Sequence, residues 1–284
     1  RQMCIRDSSE GLKVGFVLEH GFTFDDGAFG DDERMFNREA SLQLISDDFG
    51  TLAIGRMGTI KSDAGTFGFF AATVNPFGTG WSNISGYDVD MFAADTSRYD
   101  NMITYKSPTF AGTTVYAQYS MGGNDANEMT HRADRYAALG VSYAAGNLNL
   151  AALVDWTDEA YTKDFLKAGG ERDDEYTINV GGNYNFGVAK AYLGAQYFKD
   201  ANDVAGIVDL IDSVADAKLA YDTKHADAFK GYGVTIGTDV PAFGGNFLVA
   251  LSYTDAEEEN WDADVTGYSA GIAYTYPLSK RTNL

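Results

Sequence analysis

"EYTINVGGNYNFGVAKAYLGAQYFK", residues 175–199, alternates. Tyr176, Ile178, Val180, Tyr184 and Phe186 fall on one parity, and Thr177, Asn179, Asn183 and Asn185 on the other. After a turn at Gly187 the pattern resumes, with Ala191, Leu193, Ala195 and Tyr197 set against Lys190, Tyr192, Gln196 and Phe198. Successive side chains of a strand point to opposite faces, so the stretch predicts two strands with an oily side and a mainly polar side. What each side faces decides the fold.

The same period runs through most of the chain. Strand-like segments fall at 12–24, 37–46, 51–59, 98–107, 112–120, 135–145, 148–156, 175–186, 188–199, 231–240, 245–255 and 266–277. Their connections alternate in length. Short links are SDDFG (46–50), SPTFAG (107–112), AAGN (144–147), NFGV (185–188), PAFGG (241–245) and LSKRT (278–282). Between them come long links near 25–36, 60–97, 121–134, 157–174, 200–230 and 255–265. An up-and-down antiparallel sheet puts all short turns at one end and all long loops at the other, the pattern of an outer-membrane barrel. A soluble all-β sandwich competes, but its strands are usually shorter and its loops show no such bias. The expected fold is therefore an all-β transmembrane barrel with lipid on the oily side and a wet interior on the other. Tyr176, Tyr184, Tyr268 and Tyr276, near strand ends, fit interfacial girdles.

Composition agrees. The 284 residues carry 18 Tyr, 18 Phe and 32 Gly but only 4 Pro, a mix suited to strands and tight turns. A net charge of −20 argues against a general nucleic-acid grip. Mean hydropathy is slightly negative, and no apolar run approaches the ~18 residues of a membrane helix, which leaves a barrel open. The single cysteine, Cys4, lies in RQMCIRDS (1–8), an octet without alternation that reads as an assembly artefact outside the fold, leaving 9–284 as one barrel domain. No cysteine-based metal site or nucleophile remains, and no cofactor is implied. One segment has helical spacing: Val204, Ile207, Val208, Ile211 and Val214 within 202–222 predict a short helix in a long external loop.

Several stretches, FGTLAIGR (49–56), SRYDNMITYKSPTFAG (97–112), NYNFGVAK (183–190) and YPLSKRT (276–282), resemble the trimeric general-diffusion porins of Gram-negative outer membranes. The resemblance covers Gly11 to Thr282. It implies a passive, water-filled channel for ions and small hydrophilic solutes, a homotrimer, and an outer-membrane setting with lipid and lipopolysaccharide as surroundings. Such porins have roughly 16 strands, against twelve read here, so 11–24 corresponds to the third strand and 266–277 to the fourteenth. The resemblance thus implies a chain lacking two strands at each end.

The resemblance also implies a constriction loop at 60–97, folded inward, whose Asp88, Asp90 and Asp95 form the acidic side of a waist. Arg56 and Arg98 match the family's wall arginines, and Lys61 and Lys106 add positive charge. Opposed rows of charge make a transverse field that orients dipolar solutes. Parity sends Arg98 inward with Thr104 and Lys106, whereas Arg56 shares the outward parity of Leu52 and Ile54 unless a bulge at Gly55 re-aims it. Acidic tracts at 25–33, 170–175 and 254–264 lie in long loops; with the overall charge they predict a mild cation preference and divalent-cation contacts with lipopolysaccharide.

Other functions remain. His20, His131 and His225 stand without a nucleophile elbow or an HExxH motif, so a barrel hydrolase has little support, and the chain is read as no enzyme. A substrate-specific sugar or anion channel is not separated from general diffusion by sequence, and an adhesin differs from both by lacking conductance.

Overall fold

A computed structural model describes residues 2–9, 11–23, 25–30, 34–78, 98–122, 135–158, 173–201, 229–258, 263–279 and 282–283. The twelve alternating segments all become strands, and Gln2–Ser9 adds a thirteenth to the sheet. The first seven are β1 (Gln2–Ser9), β2 (Leu12–Glu19), β3 (Glu39–Ser46), β4 (Gly50–Gly58), β5 (Arg98–Lys106), β6 (Thr113–Ser120) and β7 (Arg135–Ala145). They are followed by β8 (Leu148–Asp158), β9 (Glu175–Asn185), β10 (Lys190–Ala201), β11 (Phe229–Ala242), β12 (Gly245–Glu258) and β13 (Ala263–Thr275). These form one antiparallel sheet in strict chain order, with β1 and β13 at its edges. A two-stranded ribbon of β14 (Pro277–Ser279) and β15 (Thr282–Asn283) is separate. The only helix among the described residues, α1 (Phe70–Val74), lies in the β4–β5 link.

Burial is inverted relative to a water-soluble protein. On β9, Thr177 and Asn179 are 0% exposed while Ile178 and Val180 are 46% and 48% exposed. Ser41, Gln43, Thr104, Gln118, Gln196 and Thr254 are likewise buried, and Leu42, Ile54, Leu193, Ile236, Leu251 and Ile272 are bare. In water this would place a continuous apolar sheath against solvent, far beyond the patch a monomer tolerates. In hydrocarbon it is the stable arrangement, and the polar face turns to a wet interior.

Aromatics bracket the sheath. Toward the loop end, Tyr197 pairs with Tyr232 in register, Tyr176 lies 6.3 Å from Tyr197 and Tyr253 lies 5.2 Å from Tyr268. Toward the turn end, Tyr184–Phe186 and Phe247–Tyr274 each stand 4.7 Å apart. From Tyr176 to Tyr184 is about 27 Å along the strand at a rise of ~3.4 Å per residue, or roughly 20 Å of depth after a tilt of ~35–45°. That is close to the thickness of an outer-membrane apolar band.

Three observations add to the sequence reading. The sequence sets residues 1–8 outside the fold, yet Gln2–Ser9 pair with β2, from Gln2 opposite Leu18 to Ser9 opposite Leu12. A free strand edge is a row of backbone donors and acceptors that any extended segment satisfies, whatever its side-chain pattern. Second, the acidic tract 254–264 is less a loop than an extension of the sheet: Asp255 pairs with Thr266 and Glu257 with Asp264, leaving only 259–262 between β12 and β13. Third, α1 has no counterpart in the sequence reading. The helix expected at 202–222 lies outside the described residues.

Candidate functional site

After Gly58 the chain turns onto the inner face of the sheet. Thr59 and Ile60 are 0% exposed, and Phe67, Phe70, Val74 and Phe77 are buried. Ile60, Phe67, Phe70 and Val74 pack with Met57, Met102, Tyr116, Tyr136 and Leu153 in one apolar cluster, while Phe77 packs on Leu248 and Ala250 of β12. Phe69 stacks on Tyr116 with centroids 4.5 Å apart. Burying each large side chain contributes about 1.5–3 kcal/mol, so the link holds itself to the wall with only the short helix α1 as regular structure.

Polar groups fix its position. Gln118 of β6 accepts the Ile60 N–H at 2.8 Å and donates to the Gly58 carbonyl at 3.0 Å. The Thr66 hydroxyl donates to Glu39 of β3 at 2.7 Å, and Asn183 of β9 donates to the Thr73 carbonyl at 2.7 Å. Asn75 donates to Thr235 of β11 at 3.0 Å. Lys61 pairs with Asp155 of β8 at 3.2 Å, and Asp155 also accepts from the Thr177 and Tyr136 hydroxyls. Because the anchors come from β3, β6, β8, β9 and β11, the sheet curls around the loop.

Room for the loop is made by glycines on the inner parity. A Cβ added at Gly140 would stand 2.8 Å from Ile60 Cδ1, and one at Gly181 2.5 Å from Val74 Cγ1. One at Gly194 would stand 2.8 Å from Val74 Cβ, and one at Gly237 2.5 Å from Pro76 Cδ. These glycines on β7, β9, β10 and β11 make a shallow track in the wall, a signal present in the sequence but not used there.

Among the described residues, the predicted waist cations do not form one cluster. Arg56 keeps its outward parity, opposite Ala40, and its guanidinium donates to the Asn37 carbonyl at 2.7 Å and to Asp100 at 2.9 Å. Arg34 meets the same carboxylate at 2.7 Å. A register shift does lie beside Gly55, but the extra residue is in β5, at Asn101 with φ 48°. Parity therefore breaks between Met102 and Tyr99: Tyr99 pairs with inward Met57 and stacks on Tyr136 at 4.6 Å, while Arg98 pairs with Gly58. The parity argument that aimed Arg98 inward with Thr104 thus does not hold. Arg98 is half-buried, in the electrostatic reach of Arg38, Arg56, Glu19 and Asp63. Lys61 lies on the inner face. Lys106 closes β5 at the turn end, over the Tyr116 ring at 5.7 Å and a whole strand away from Arg98. Asp88, Asp90 and Asp95 lie outside the described residues. Lys190, at the start of β10 and 4.7 Å over the Tyr192 ring, is a lumen-facing cation that the site reading missed.

An inside-out sheet wrapped around its own loop has a clear set of relatives. A family profile described as Gram-negative porin matches residues 7–284. The chain belongs to the Gram-negative porin family. The porin is 31% identical to an outer membrane porin protein of Bordetella pertussis, the match covering 98% of this chain and 72% of that one. It is 28% identical to outer membrane porin protein 32 of Delftia acidovorans, over 98% of this chain and 69% of the relative. Among solved structures, the anion-selective porin from Comamonas acidovorans superposes with a TM-score of 0.59 at 21% identity, covering 99% of this chain and 74% of that one. Salmonella typhi OmpF, solved in complex with daunomycin, gives 0.64 at 15% identity, over 99% and 78%. The porin is thus an outer-membrane channel protein, and its fold and family point to a channel rather than an enzyme.

Proposed function

We propose that the porin is a passive diffusion channel whose waist is formed by the inward link between β4 and β5, from about residue 60 to 97. The observation that carries this is the stapling of residues 59–78 to the inner face by side chains of five different strands. No covalent chemistry is needed: a fixed obstruction in a polar lumen sorts solutes by size and charge. In this reading Asp88, Asp90 and Asp95 supply the acidic side of the waist and Arg98, half-buried at the loop end of β5, the basic side, while Lys61 is neutralised by Asp155 and anchors the loop. Arginine suits that place because it stays ionised whatever surrounds it. Arg56, held by Asn37 and Asp100, buttresses the rim beside it.

The assembly in this reading is a homotrimer, as the family resemblance implies, with acidic loop tracts meeting lipopolysaccharide through divalent cations. Single-channel recording of the full chain in planar bilayers tests the function: ohmic steps that close in thirds are expected. A protein that inserts but passes no current would overturn the channel reading. Replacing Arg98 with glutamine should shift the reversal potential toward cations; an unchanged potential would remove Arg98 from the waist.

A further inference from the structure

The greasy outer face is not uniformly filled. A groove of about 690 Å3 crosses it from β7 to β10, bordered by Tyr143, Leu150, Val180, Tyr184 and Leu193 around Gly182. Gly182 stands on the outward parity, between Leu150 of β8 and Leu193 of β10 in register, so this row lacks a side chain at its centre. The volume falls within the range of small-molecule sites, about 300–1,000 Å3. Its lining is almost wholly apolar.

The groove lies in the turn-end half of the sheath, which is the periplasmic half of the membrane. From Val180 to Tyr184 it follows β9 for about 14 Å, or ~10 Å of depth after the strand tilt, most of one leaflet of a ~25 Å apolar band. Aromatic cover is missing at its mouth. Phe49, Phe110, Phe186 and Phe243 stand exposed on four short turns, whereas AAGN (144–147), between β7 and β8, carries no aromatic. Elsewhere the girdle tyrosines are tied to the turns: Tyr105 donates to the Phe49 carbonyl and Tyr274 to the Phe243 carbonyl, each at 3.0 Å. Among the described residues, the Tyr143 and Tyr184 hydroxyls have no hydrogen-bond partner. Neither AAGN nor the neighbouring NFGV (185–188) contains a charged residue, so nothing there selects an anionic headgroup.

We infer that the groove is a site for one acyl chain of a zwitterionic phospholipid from the periplasmic leaflet, whose headgroup end meets the Tyr143 and Tyr184 hydroxyls beside the β7–β8 turn. The membrane supplies the occupant, because the groove is continuous with the lipid-facing sheath. Hydrocarbon stands on both sides of the exchange, so the chain is held by close packing and not by transfer out of water. A second copy of the protein fits less well. Its wall would rest on the crests of Leu150 and Leu193 and leave the floor at Gly182 void, whereas a flexible acyl chain reaches the floor. The site needs no conduction through the lumen, so it stands or falls separately from the channel reading.

Native mass spectrometry of the full chain, delipidated in detergent and titrated with palmitoyl-oleoyl-phosphatidylethanolamine, tests the site. One tightly retained lipid per chain is expected. Gly182 itself is a poor place for the variant, because an added Cβ would stand 2.4 Å from the Asn149 carbonyl oxygen. Ala152 and Ala191 border the groove on the outward parity, opposite Val180 and Tyr184, and fill it from the sides. Ala152→Phe/Ala191→Phe should bind the lipid about tenfold more weakly, the effect of roughly ten lost carbon contacts. Ala195→Phe, the same ring on the same strand but outside the groove, should bind as the parent does. If the double variant does not fold, Ala191→Phe alone decides by the same comparison. No retained lipid in the parent, equal retention in the filled variant, or loss in Ala195→Phe as well would overturn the site. Preferential retention of phosphatidylglycerol would overturn its zwitterionic assignment. Near-complete intermolecular disulfide formation by Ala191→Cys in a Cys4→Ser background, in phosphatidylethanolamine-containing vesicles, would place a second copy there instead and refute the lipid site.

Discussion

Gly194 of β10 and Val74 of the inward helix are in such close approach that an added Cβ would stand 2.8 Å from the Val74 Cβ. The wall is therefore cut to fit the loop. Gly194→Leu should expel Val74 from its seat, at a cost of about 1–3 kcal/mol in unfolding free energy. Conductance should rise with the lumen cleared. Urea denaturation in micelles and single-channel recording check the two effects, and an unchanged channel would mean the loop does not narrow the path.

Lys61 and Asp155 make a different kind of anchor. Both side chains are nearly inaccessible, so Lys61→Met strands a buried carboxylate and should cost about 3–5 kcal/mol. Replacing both partners with apolar residues should recover most of that loss. The double-variant cycle, read from denaturation midpoints, separates an ion pair from simple packing.

Gln118 holds the point where the chain enters the lumen. Gln118→Leu leaves the Ile60 N–H and the Gly58 carbonyl without their side-chain partner. About 1–3 kcal/mol for each stranded group is expected, and protease should cut the 59–78 link in the folded protein. Resistance equal to the parent would show the apolar contacts suffice.

Much of this was legible before any coordinates. Period-two segments such as 175–186 and 245–255 reappear as β9 and β12 because lipid enforces alternation on every residue that spans the bilayer. Most short links were legible through their glycines, LSKRT (278–282) being the exception. Arg98 was not, because one bulge residue at Asn101 inverts everything beyond it, and the sole hint was that asparagine tolerates positive φ better than most residues. The inward course of 59–78 left its trace in glycines at 140, 181, 194 and 237, which are inconspicuous in a chain with 32 of them. Lys190 was on the polar parity from the start, but only the ring contact with Tyr192 distinguishes it from a rim lysine.

A pH effect is expected in the β2–β3 loop. Asp26 accepts hydrogen bonds from the Thr23 hydroxyl and the Ala28 N–H, which hold its carboxyl below the usual value of 3.8. A group with a depressed folded pKa adds stability above its unfolded value and loses it as pH falls through the folded one. The protection factor of the Ala28 amide should therefore hold above pH 3.8 and fall below it, and Asp26→Asn should abolish that change. Protection that stays constant through acid would contradict this.

The most direct test of the whole account is a cysteine scan along β9 in lipid vesicles, with Cys4 replaced by serine. Labels at positions 176, 178 and 180 should be quenched by a lipid-borne quencher, and labels at 177, 179 and 183 by a water-soluble one. Two faces with the same access, or Ile178 reached from water and Asn179 from lipid, would contradict a wet lumen enclosed by a greasy wall.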